Sequence, residues 1–172
     1  MQRILISACL LGAKVRYDGS DRLCGDPRLA RWNAEGRLVS FCPELAGGFA
    51  TPRAPAEIMG EGGGQAVLSG QAQVLEDSGR NVSVGFVAGA QAALQQALDE
   101  GCAYALLTDG SPSCGSSLLY DGSFAGKRIA GQGVTAALLE SHGIRVFSEH
   151  EIAALESELQ YAAAIRPGEA TT

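Results

Sequence analysis

Three cysteines stand where a chain can do chemistry: Cys9 in Ser7-Ala8-Cys9-Leu10-Leu11-Gly12, Cys42 in Phe41-Cys42-Pro43-Glu44, and Cys114 in Ser111-Pro112-Ser113-Cys114-Gly115. Each follows an apolar, strand-like run (Ile4 to Ile6, Leu38 to Phe41, Tyr104 to Leu107) and sits at the turn that ends it. In an open α/β sheet the carboxyl ends of neighbouring strands face one crevice, where ligands bind. Three thiols brought to that crevice can hold a metal or an iron–sulfur cluster, and a four-iron cluster on three thiolates keeps one iron free for chemistry. A buried cysteine is also a common small core residue, and each of the three taken alone fits that role. Their shared topological position is what argues for a site.

Other groups lie close to these in sequence. Glu44 is two residues past Cys42, with Pro43 stiffening the step, so its carboxylate is expected to face the same crevice. Beside a cluster it could act as a general acid or base, while composition alone favours an ordinary surface glutamate at a loop start. Ser111 and Ser113 flank Pro112, where their hydroxyls either cap the turn or bond a substrate or a cluster sulfur. In Thr51-Pro52-Arg53-Ala54-Pro55-Ala56-Glu57 the prolines hold Arg53 in a defined place, to pair with Glu57 or to clamp a ligand carbonyl or anion. Tyr17-Asp18-Gly19 and Tyr120-Asp121-Gly122 are similar turns, and Tyr17 offers a ring on which a flat heterocycle can stack. None of the three cysteines forms a Cys-x-x-Cys pair, which leaves a zinc ribbon and a thioredoxin motif without support. Cys102 reads as a core residue, Cys24 as a free thiol in a polar loop, and His142 and His150 as structural or solvated groups.

The elements that must position these groups follow from periodicity. Strands are expected at Arg3–Ala8, Arg37–Phe41, Gln71–Glu76, Ala103–Thr108 and Ile144–Phe147. Asp26 as N-cap and Pro27 at the first helical position open a short helix to about Asn33. Val82, Phe86, Ala90, Ala93, Leu94 and Ala97 repeat at helical spacing within a main helix over Asn81–Glu100, stopped by Gly101. Further helices are expected over Gly131–Ser141 and from His150 to about Ile165. The proline- and glycine-rich stretch from Pro43 to Gly64 reads as a long irregular loop. Strand and helix alternate, which predicts an α/β fold: one three-layer, Rossmann-like domain over residues 1–165 with a mostly parallel sheet, then a polar tail over 166–172.

Composition bounds the partners. The 172 residues are 46 % apolar and 19 % charged, ordinary globular values. A net charge of −6 without a basic cluster argues against duplex nucleic acid as a partner. No apolar run approaches the roughly 20 residues that span a bilayer, and no signal peptide precedes the first strand, so a cytoplasmic protein is expected. Five cysteines is an odd count, consistent with reduced thiols that serve as ligands.

Taken together, these motifs resemble the thiouracil desulfidase family. The resemblance rests on Ser-Ala-Cys-Leu-Leu-Gly with Arg16-Tyr17-Asp18-Gly19, Cys42-Pro43-Glu44 with Gly47-Gly48, Thr51-Pro52-Arg53 with Pro55-Ala56-Glu57, Ser111-Pro112-Ser113-Cys114-Gly115, Tyr120-Asp121-Gly122 and Gly131-Gln132-Gly133-Val134-Thr135-Ala136, in the family's order from about Arg3 to Glu149. It implies a [4Fe-4S] cluster held by Cys9, Cys42 and Cys114. It implies removal of sulfur from a thiolated pyrimidine base or nucleoside as substrate, with Glu44 as the acid/base carboxylate and Ser111 assisting. Arg53, Tyr17 and Ser113 are the substrate contacts expected on this reading. Two departures stand out: Val15 occupies a position where some relatives carry Cys, and Thr108-Asp109-Gly110 replaces a Lys-plus-polar stretch. Two other readings remain open from the residues alone. One is a zinc- or thiol-dependent hydrolase built on Cys42 or Cys114. The other is a nucleotide-binding module that holds phosphate at the Gly131-Gln132-Gly133 helix start.

Overall fold

Uniformly apolar strands need cover on both faces, and the layering follows from that need. The computed structural model describes residues 1–165, so the tail expected over 166–172 lies outside the described residues. In chain order the elements are β1 (Arg3–Ser7), a 3-10 turn (Ala8–Leu11), α1 (Pro27–Ala34), β2 (Leu38–Phe41), α2 (Pro43–Ala46), β3 (Ala56–Met59), α3 (Gly63–Leu68), β4 (Gln73–Glu76), α4 (Ser83–Asp99), β5 (Cys102–Leu107), β6 (Leu118–Tyr120), β7 (Arg128–Ala130), α5 (Val134–Ser141), β8 (Arg145–Ser148) and α6 (Ile152–Ala164). The central sheet has the order β2-β1-β5-β8, every pair parallel. Ile4, Ile6, Tyr104 and Leu106 pack on one face against Leu29 and Trp32 of α1 and Leu155 and Leu159 of α6. Leu5, Ala105 and Leu107 pack on the other against Ala93 and Ala97 of α4 and Ala136 and Leu139 of α5. That is the expected three-layer α/β arrangement. Among the described residues no helix is long and apolar enough to cross a membrane.

Strand order reverses between β1 and β5, because β1 runs on to β2 at one side while β5 and β8 lie at the other. Ser7 pairs with Phe41 and Ile6 with Leu106, so the three strands end at one edge. The crevice of an open α/β sheet forms at such a reversal. Cys9, Cys42 and the loop carrying Cys114 all leave the sheet there.

The segment from Pro43 to Gly64 is not the irregular loop its composition predicts. Pro43 takes the first helical position, where its missing N–H costs nothing, and opens α2. Ala56–Met59 pairs antiparallel with Gln73–Glu76, and Gly63 and Gly64 lie inside α3. Glycine is required there by contact: a Cβ on Gly64 would overlap the carbonyl of Gly133 at the head of α5. The stretch between Cys114 and α5 likewise holds an antiparallel hairpin, β6–β7, whose three-residue strands are too short to leave a period-2 signal. These pieces close a third apolar cluster around Val74, Phe86, Leu119 and Val134, outside α4 and α5.

One helix face decides where Cys42 and Glu44 sit. Gly85 and Gly89 of α4 lie one turn apart against α2; a Cβ on Gly89 would strike the carbonyl oxygen of Pro43, and one on Gly85 the ring of Phe49. Gly89→Ala should therefore lower stability by about 1–3 kcal/mol, although alanine is the better helix former. Equilibrium urea denaturation measures this, and an unchanged or raised midpoint would refute the tight contact.

Candidate functional site

Cys9, Cys42 and Cys114 line one cavity of about 270 Å³ at the carboxyl edge of β1, β2 and β5. Cys9 belongs to the 3-10 turn after β1, Cys42 is the N-cap of α2, and Cys114 stands in the loop after β5. All three are free thiols, Cys9 and Cys114 buried and Cys42 partly so. Burial pushes the Cys9 thiol up; a hydrogen bond with Thr108 works the other way, and the charge of Cys42 adds to the rise. Burial also raises the Cys114 thiol, against a hydrogen bond from Ser7, while the charges of Glu44, Cys9 and Cys42 raise it further. Cys9 and Cys114 therefore feel, beyond their burial, the acidic groups that share the hollow. Among the described residues no group of three or more His, Cys, Asp and Glu converges closely enough to hold a single ion. A zinc site on these thiols is thereby unsupported. A cluster places different demands, because each thiolate binds its own iron, and three soft unpaired thiols around a hollow fit such a group.

The Cys114 loop is fixed by backbone groups. Ser111 Oγ accepts the N–H groups of Ser113 and Cys114 at 3.1 Å each, and Gly115 N–H reaches the Ser111 carbonyl at 2.8 Å. The free amides at the head of α5 take the loop's carbonyls: Gly133 donates to Gly115 at 2.7 Å, Val134 to Pro112 at 2.8 Å and Thr135 to Ser113 at 2.9 Å. The helix start that could have cradled a phosphate thus anchors the cysteine loop instead. Ser113, expected at the substrate, is buried with its hydroxyl 2.8 Å from Thr135 Oγ1 and does not line the cavity. Asp109 completes the anchor from below. Its Oδ1 accepts the N–H groups of Ser116, Ser117 and Leu118, its Oδ2 the Ser117 hydroxyl, and Glu149 holds its own N–H at 2.8 Å.

Glu44 faces the cavity as expected. Arg53 closes on its Oε2 through Nε and Nη2, both at 2.5 Å, and Ser111 Oγ stands 3.4 Å from its Oε1. Arg53 therefore pairs with Glu44, not with Glu57. The Glu57 carboxylate instead accepts the N–H groups of Gly122 and Phe124 and so ties the β6–β7 hairpin over the cavity. Tyr17 lines the cavity with its ring partly exposed, and its carbonyl accepts Arg53 N–H at 2.7 Å. Arg16 lies over the Tyr17 ring and Arg128 over Tyr120, both at the cavity wall. Phe41, Phe49 and Phe86 supply apolar wall. Among the described residues no histidine lines the cavity, so a cysteine nucleophile would lack the partner it needs. Cys102 is a core residue as read, and burial pushes its thiol up to about 11. Cys24, read as a free loop thiol, packs partly buried against the first core.

The profile of the 2-thiouracil desulfurase family matches residues 4–151, which include every residue of this site. The chain belongs to that family. It is 45% identical over 149 residues to YbbK, an uncharacterized protein of Bacillus subtilis (strain 168), covering 87% of this chain and 97% of YbbK. It also superposes on a solved structure described as the [4Fe-4S]-dependent thiouracil desulfidase TudS, with a TM-score of 0.86 and 45% identity over 94% of this chain and 99% of that one.

Several residues of the desulfurase site left little trace in the sequence. Ser7 and Thr108 adjoin the cysteine motifs but reach the sulfurs only through strand pairing. Asp109 looks like an ordinary loop acid. Gly85 and Gly89 show only as two glycines one turn apart in a helix, a spacing that does flag close packing. Asp109→Ala would leave four donors without an acceptor and should cost about 3 kcal/mol. Burial works to raise the Asp109 carboxyl, and the hydrogen bonds from Ser117 and Leu118 outweigh it, holding it below the usual range. Its contribution is accordingly present above the ordinary carboxylate pKa and lost as pH falls below about 4. Denaturation midpoints from pH 7 to 3 should drop more steeply for the parent than for Asp109→Ala; parallel curves would remove Asp109 as the anchor.

Proposed function

We propose that this chain is a [4Fe-4S]-dependent desulfidase that converts a thiolated pyrimidine, as base or nucleoside, to its oxo form with release of sulfide. The observation that carries the reading is the meeting of Cys9, Cys42 and Cys114, from three strand ends, at a cavity that also holds the Glu44 carboxylate. Cys9, Cys42 and Cys114 would hold the cluster, which supplies an iron without a protein ligand as a soft Lewis acid for the substrate sulfur.

The chain's own groups do the rest. Arg53 occupies one carboxylate oxygen of Glu44 and leaves Oε1 turned toward the Ser111 hydroxyl. Ser111 Oγ already accepts two backbone N–H groups, so its proton is directed outward, to Glu44 or to substrate. A water at Oε1 gives its proton to Glu44 as its oxygen adds to the thiocarbonyl carbon. The C–S bond then breaks and the electron pair leaves with sulfur. Sulfur takes up the proton held by Glu44 and, relayed by Ser111, the one left on the added oxygen, so that the carbonyl forms. In balance, a thiocarbonyl and one water become a carbonyl and one hydrogen sulfide, without oxidation or reduction. Phe41, Phe49, Phe86 and Tyr17 bound a space suited to a flat ring. Unoxidised thiols of this kind agree with a reducing, cytoplasmic setting.

Anaerobic reconstitution with iron and sulfide, followed by the near-ultraviolet band of a thiopyrimidine, tests the reading. The parent should take up four irons per chain and bleach the band; Cys9→Ala should lose colour and turnover together. Glu44→Gln should keep the cluster and lose on the order of 10²–10⁴-fold in rate. A colourless Cys9→Ala protein of full activity would overturn the cluster assignment, and an undiminished Glu44→Gln rate the role of the carboxylate.

A further inference from the structure

Ser7 ends β1 and Thr108 follows β5, and because these strands are parallel neighbours both residues reach the edge from which the cysteines leave. Thr108 Oγ1 stands 2.9 Å from Cys9 Sγ, while its backbone N–H donates to Ser7 Oγ at 3.0 Å. With that acceptor site filled, the Ser7 hydroxyl proton is free to point into the cavity that Ser7 and Cys114 both line, and Ser7 works against the rise that burial imposes on the Cys114 thiol. Both residues are buried, 3 % exposed for Ser7 and 5 % for Thr108. A thiolate has no proton to give. Once Cys9 and Cys114 are ligands, the two hydroxyls can only donate to them.

We propose that Thr108, together with Ser7, is a positioning residue that draws electron density from the Cys9 and Cys114 thiolates and so strengthens the pull of the open metal corner on the substrate's sulfur; the proposal rests on the function given above. Hydrogen bonds to the sulfurs are among the factors that set the potential of an iron–sulfur centre. A thiolate that shares its charge with a hydroxyl gives less to its iron, which then accepts more from an incoming ligand. Among the described residues the side chains lining the cavity offer Cys42 no such buried hydroxyl, so two of the three ligands are damped and the third is not. Thr108 governs both, one through its own hydroxyl and the other through the N–H that orients Ser7.

The test compares the parent with Thr108→Val, Thr108→Ser and Ser7→Ala after anaerobic reconstitution, with iron and sulfide counted first. The midpoint potential is then read by electron paramagnetic resonance during a mediated reductive titration, and kcat and KM are measured with a thiopyrimidine. Thr108→Val is expected to load as the parent does, titrate at a more negative potential and raise KM about tenfold, the size of one hydrogen bond to a charged group. Thr108→Ser is expected to restore both values. Equal loading with an unchanged potential would overturn the proposal while leaving the cluster assignment intact. A parent that takes no iron would remove the underlying function, and this inference with it. Should Thr108→Val fail to load, Ser7→Ala decides: a more negative potential supports the proposal and an unchanged one refutes it.

Discussion

The constraint on which this molecule turns is electrostatic. Cys9, Cys42, Cys114 and Glu44 share one hollow at the sheet edge, where burial, and after it the charges alongside, raise the Cys9 and Cys114 thiols. Burial alone disfavours a thiolate. Several together are tolerable only when protonated, or when a cationic group of several charges binds among them and displaces the protons. The one carboxylate of the set has its own answer in the Arg53 fork. Hydroxyls, a backbone hydrogen bond and the charge of Arg16 favour the Cys9 thiolate, but they do not offset the burial of Cys9 and Cys114. That imbalance is the strongest physical argument for a metal-containing guest, because it makes the hollow costly to ionise empty and favourable to ionise when filled.

Such a site must not collapse, and much of the scaffold outside the sheet prevents collapse. Three devices do this, one for each cysteine segment. Gly85 and Gly89 let α2 settle on α4 at backbone distance, which fixes Cys42 and Glu44. The amides of α5 grip the carbonyls of Pro112, Ser113 and Gly115, so the helix dipole works for the Cys114 loop. The turn at Cys9 is held by its own carbonyl, which accepts N–H groups from Gly12 and Arg22. Each device uses backbone groups, which have few rotamers to lose and cannot swing away as a long side chain can.

How much of this could be read from residue order follows the range of the interactions. The apolar runs of β1, β2, β5 and β8 and the long repeat of α4 are local signals, and they appear within a residue or two of their expected bounds. The three cysteines were visible for the same reason, each being tied to a strand end. The segment from Pro43 to Gly64 defeated the reading because its glycines and prolines answer to distant partners: Gly64 to Gly133, and Pro43 to Gly89. The sequence leaves Arg53 two partners, Glu57 or a ligand, and the fold supplies a third in Glu44, farther away in sequence but nearer in space. Ser113 shows the converse. It belongs to the motif that carries Cys114, yet the turn that aims the sulfur inward aims this hydroxyl at Thr135.

The walls of the cavity bring these threads together. A chain with a net charge of −6 sets Arg16, Arg22, Arg53 and Arg128 around a hollow whose walls include Phe41, Phe49 and Phe86. The aromatic wall keeps the local dielectric low, and in that setting every charge the arginines carry acts over a longer range than it would in water. Arg53 is committed to Glu44, while Arg16 and Arg128 lie over the faces of Tyr17 and Tyr120. The cavity thus sets acidic groups and arginines around one hollow. On the proposed function, a thiopyrimidine that entered sulfur-first would present a soft, electron-rich atom to the thiol-lined end, which a bound metal would make receptive. Orientation and chemistry then depend on one condition: the negative end of the hollow must be neutralised before it can attract the atom it is shaped to receive.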